Sequence, residues 1–143
     1  MKTLLFVVSA FFAVQTLPAQ QAVFSAEKKS AIVANLIKAI KSENTGLHTS
    51  AAKVLSDLIS ESYLKPDDAS PAMIPLLNLL RNGKSDEERL SAAVALYQIG
   101  SPIALYQLRG VGHFDDNKKV ASACKNLYYT YYTLHGTEYL VSF

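Results

Sequence analysis

A single cysteine, Cys124, in 143 residues excludes an internal disulfide and a thiolate metal cluster. Tryptophan is absent, although tyrosine occurs eight times. Charge of one sign is lacking too. The 14 Lys and Arg against 12 Asp and Glu leave a formal +2, too little for the phosphate-neutralising patch that nucleic-acid binding requires. Nucleic acid is therefore excluded as the expected partner. Charged residues make up only 18% and apolar ones 50%, which rules out a chain disordered throughout. The length allows one domain or one short repeat array.

The apolar run after Met1 and Lys2, from Leu4 to Val14, falls short of the roughly 20 residues that span a bilayer. A basic start, a core of this length, a break at Gln15-Thr16 and the small residue Ala19 have the pattern of a secretory signal peptide cleaved near Ala19 to Ala22. The alternative is a buried N-terminal helix. The expected organisation is a signal peptide over 1–20, a linker over 21–29, a helical array over 30–135 and a tail over 136–143. The expected location is secreted or periplasmic, without an integral membrane span once the signal is removed.

The remainder is periodic. Ser70-Pro71 and Ser101-Pro102 each read as an N-cap followed by proline at the first helical position, and they lie 31 residues apart. Leu77 and Leu108, Ala92 and Ala123, and Leu96 and Leu127 repeat that offset. Leu47, Ala51, Ala52, Leu55 and Leu58 precede Glu88, Ala92, Ala93, Leu96 and Ile99 by 41. The additional residues fall in a loop from Glu61 to Ala69. Apolar spacing predicts helices over 30–42, 47–62, 70–82, 87–99, 101–111 and 117–135, an all-α chain of three helical hairpins. Only the tail, Tyr139 to Phe143, reads as extended. Cys124 aligns with Ala52 and Ala93 and is expected to be a small buried apolar residue.

The run Glu88-Arg89-Leu90-Ser91-Ala92-Ala93-Val94-Ala95-Leu96-Tyr97-Gln98-Ile99-Gly100, followed by Ser101-Pro102, resembles the second helix of a HEAT-like repeat and its turn into the next unit. Met73-Ile74-Pro75-Leu76-Leu77 resembles the proline-bearing first helix. The similarity covers Ser70 to Tyr129 well and Ser30 to Ile59 loosely. It implies a right-handed α-α superhelix that serves as a scaffold or binding surface. His48, and Lys119 or Val120, stand where that family places an arginine. A weaker, unrepeated likeness to ankyrin repeats lies in Thr45-Gly46-Leu47-His48-Thr49-Ser50-Ala51-Ala52.

Motifs that carry chemistry are thin. His48, His113 and His135 fall in no metal-ligand spacing, so no metal is expected. Gly83-Lys84-Ser85 lacks the upstream glycine and strand of a phosphate-binding loop, and Gly110-Val111-Gly112 lacks the third glycine of a dinucleotide fingerprint. Asp86-Glu87-Glu88 and Asp115-Asp116-Asn117 each precede a second helix, where carboxylates cap free N–H groups and offset the helix dipole. No catalytic residue and no cofactor are expected.

A surface remains. Opposite the core arc of each second helix, periodicity places Thr49, Lys53, Ser56 and Ser60 in the first unit, Leu90, Val94 and Tyr97 in the second, and Ala121, Lys125, Tyr128 and Tyr132 in the third. The row turns from polar to apolar and aromatic, a composition common at interfaces. Leu90, Val94, Tyr97, Lys125, Tyr128 and Tyr132 are thus the candidate protein-binding residues, with another protein or peptide as partner. Alternatively the tail, through Tyr139, Leu140 and Phe143, covers this strip. Leu127 and Tyr131 are expected to point into the core. The function expected is a non-enzymatic binding or scaffold module. The alternative is a small exported enzyme or enzyme-associated subunit related to HEAT-like lyases.

Overall fold

The computed structural model describes residues 24–136; the expected signal peptide and the tail from Tyr139 to Phe143 lie outside them. Among the described residues every regular element is helical: α1 (Ala26–Ile40), α2 (Thr45–Ser60), α3 (Pro66–Ala69), a 3₁₀ turn (Ser70–Ala72), α4 (Met73–Asn82), α5 (Asp86–Ile99), α6 (Pro102–Phe114) and α7 (Lys118–His135). The chain is all-α, as its periodicity requires. Helix α1 begins at Ala26, inside the segment expected to be linker, because Ser25 caps it by accepting a hydrogen bond from Lys28 N.

The loop expected from Glu61 to Ala69 is shorter than the sequence suggested. Pro66 starts α3 one turn before Ser70, and Lys65 N donates to Asp68 Oδ2 at 2.8 Å. Ser70 is therefore no N-cap. Pro71 cannot donate to the Asp67 carbonyl, nor Pro75 to that of Pro71, so the α-helical ladder fails between them. Ser70 N bonds instead to Asp67 O and Met73 N to Ser70 O, both three residues back, and the chain turns through a 3₁₀ segment. Ser101 does cap its helix, accepting from Ala104 N at 3.2 Å.

Helices α1 and α2, α4 and α5, and α6 and α7 lie against each other as successive pairs, and α5 also contacts α2, α3, α6 and α7. With five neighbours, α5 has little polar face. Ala92, Ala93, Ala95, Leu96 and Ile99 are all buried. Small residues let the surrounding axes come close, while Leu55, Leu80, Leu96, Leu105 and Leu108 fill the space between them. Cys124 is buried beside this core, and burial pushes its thiol up to about 12. Leu127 and Tyr131 pack half-buried against the core; Ala123 is half-buried, whereas its counterpart Ala92 is fully enclosed. Gly100 ends α5 in the left-handed region at φ 59°.

Candidate functional site

The six expected contact residues do not form one exposed row. On α5, Val94 is 40% exposed and Leu90 and Tyr97 are half-buried to either side of it. On α7, Lys125 is exposed, Tyr132 is half-buried, and Tyr128 is only 9% exposed and belongs to the core. Ala121 is buried as well. Of the row through Ala121, Lys125, Tyr128 and Tyr132, only Lys125 stays open to solvent. A Cβ on Gly112 would lie 2.9 Å from Lys125 N and 3.1 Å from its Cα, so α6 and α7 touch backbone to backbone there. Arg109 of α6 lies within electrostatic range of Tyr132.

Tyr128 forms an edge contact with Tyr132 at 4.6 Å between ring centroids, and Tyr131 does so with Tyr97 at 5.9 Å. Burial, then the hydrogen bond with Tyr128, raises the Tyr132 phenol above its ordinary value. The first ring contact lies within α7, and the second joins α7 to α5. Large apolar side chains lie open elsewhere: Ile103 and Tyr106 on α6, Phe114 at its end, and Tyr129 and Leu134 on α7. Sequence reasoning missed them, although α6 carries apolar residues on both its faces.

The first turns of α2 and α5 hold two equivalent clamps. Arg89 donates through Nε to the Leu80 carbonyl at 2.7 Å and through both terminal nitrogens to Asp115 ahead of α7. His48 stands 41 residues earlier. Its Nε2 lies 2.5 Å from the Ser42 carbonyl and its Nδ1 2.8 Å from Glu88 Oε1 on α5. Each cationic or imidazole side chain thus joins its own pair to an acid of the next. The bond from Arg89 holds the Asp115 carboxyl below the usual carboxylate range, against the opposing effect of burial.

Glu88 is 2% exposed. Its expected capping role is present, since Ser85 accepts from Glu88 N at 3.2 Å while Glu88 Oε2 accepts from Ser85 N at 3.2 Å and Lys84 N at 2.5 Å. Burial drives this carboxyl up, but the bonds from His48, Lys84 and Ser85 outweigh it and leave it below its ordinary value. At the other acidic group Asn117 is the cap, accepting from Lys119 N and Val120 N. Asp115 serves the clamp and also accepts from Asn117 N at 2.9 Å.

Among the described residues no three His, Cys, Asp or Glu side chains gather as metal ligands, and no helix is long and apolar enough to cross a membrane. The sequence matches no family model, no curated protein and no solved structure.

Proposed function

We propose that the chain is an exported, non-enzymatic protein-binding module of HEAT-like architecture that holds a protein or peptide against the outward row of α5. Val94 carries this reading. Helix α5 is contacted by five other helices, yet a β-branched apolar side chain is left 40% exposed at its middle, between half-buried Leu90 and Tyr97. A residue in that place contributes little to the core and is well placed for an interface centre. Two equivalent clamps, His48 to Glu88 and Arg89 to Asp115, favour a repeated unit. The basic, then apolar, pattern of residues 1–20 favours export.

The test begins with capture by the chain lacking its first 23 residues, followed by binding measurements with the purified partner. Val94→Asp is expected to weaken that complex at least about tenfold, as desolvating a carboxylate at an apolar contact would. Its melting temperature should match that of the parent. An unchanged affinity overturns the proposal.

A further inference from the structure

The joint between the first two helix pairs contains a pocket of about 400 Å³, within the size range of small-ligand sites. One wall is apolar. Ile40 closes it from the end of α1, Pro75 and Leu79 line it from α4, and Ile74 stands at its edge 67% exposed. Lysines approach from two separate segments: Lys41 at the C-terminal cap of α1 and Lys84 in the turn before α5. Neither takes part in an ion pair among the described residues. Glu88 is the single carboxylate in the lining, and both of its oxygens are engaged, by His48 on one side and by two backbone N–H groups on the other. The Asn82 amide donates to Asn78. Two lysines therefore border an apolar wall against one carboxylate, Glu88, whose oxygens are already taken up by His48 and backbone N–H groups.

We propose that this pocket binds a carboxylate borne on an apolar chain, with the head between Lys41 and Lys84 and the chain along Ile74, Pro75 and Leu79. Lysine recognises such a head as a point charge, and the apolar wall selects the body attached to it. A free aliphatic acid and the C-terminus of a short apolar peptide present the same chemistry. The site shares no residue with the α5 row and stands whether or not that row binds a protein.

The experiment uses the full chain and two matched pairs of probes: decanoate against decanol, and N-acetyl-leucyl-leucine as free acid against its amide. Calorimetry and amide chemical shifts are followed together. For at least one pair the charged member is expected to bind tighter by about tenfold, the sum of two modest surface-charge contributions. Shifts should centre on Ser42, Gly83 and Lys84. Which pair responds identifies the source of the carboxylate. The doubly substituted Lys41→Gln, Lys84→Gln protein should lose that preference, while Lys53→Gln on the exposed side of α2 keeps it. Equal binding of charged and neutral members in both pairs overturns the proposal. So does a double variant of undiminished affinity, or a shift pattern centred away from this joint.

Discussion

The hydroxyl of Tyr131 donates to the carbonyl of Gly100 at 3.2 Å, and the same ring fills the space that a side chain at position 100 would need. A Cβ there would lie 2.7 Å from the ring, on a backbone already at φ 59°. Gly100→Ala should therefore cost about 1–2 kcal/mol from the left-handed backbone alone, and more from displacing the ring. Tyr131→Phe, which keeps the ring and loses the bond, should cost about 1 kcal/mol. Urea unfolding of the two variants checks the order.

Tyr128 and Val94 separate core from surface. Tyr128→Ala removes a buried ring and should destabilise the protein by about 3 kcal/mol, in the range of large aromatic truncations. Val94→Ala should change stability by less than about 1 kcal/mol, because much of that side chain already meets water. Thermal melts of both variants would show whether α7 is oriented as described; equal melting temperatures would contradict it.

Acid should loosen the array through its carboxylates. Asp115, Glu88 and Asp68 all titrate below their ordinary values when folded. Their contribution is complete above the unfolded carboxylate range and is lost as pH falls through the lower folded values. The melting temperature should hold steady down to about pH 5 and decline below about pH 4. Asp115→Asn should lower stability at pH 7 and flatten part of that acid limb. A melting profile of the same shape in variant and parent would count against the Arg89 clamp.

Cys124 should resist thiol reagents. It is buried, and its thiol is raised to about 12, so almost no thiolate exists at neutral pH. Ellman's reagent is expected to leave the native protein unlabelled over minutes and to modify one thiol per chain in guanidinium. Rapid labelling of the folded chain would show that α7 opens readily.

The helices were largely legible because capping residues and apolar spacing act locally. Ser101-Pro102 and Gly100 mark boundaries that coincide with those observed, while the helix expected from 87 starts one residue earlier, at Asp86 after the cap Ser85. The same local logic misled at Ser70-Pro71, where Pro66 starts a helical turn ahead of the expected cap and the missing N–H groups of Pro71 and Pro75 leave Ser70 in a 3₁₀ turn. Periodicity also reports which side chains share a face but not which neighbour that face meets. Tyr128 and Tyr97 occupy matching positions 31 residues apart, yet Tyr128 turns inwards, on a helix that touches α6 backbone to backbone at Gly112. The His48 clamp had a visible sign in its alignment with Arg89. Its acceptor could not be read, since Glu88 alone accounts for itself as a capping residue.

The proline-enforced corner at Ser70–Ala72 lets one stretch of chain embrace two neighbours. Its leading turn reaches back to the first hairpin, where Lys29 Nζ sits 2.9 Å from Asp68 Oδ2, while its trailing helix lies along α5. That elbow gives the leading hairpin a second point of attachment, on the side away from the packing of α2 against α5 and the His48–Glu88 bond, so the first joint is held from two directions.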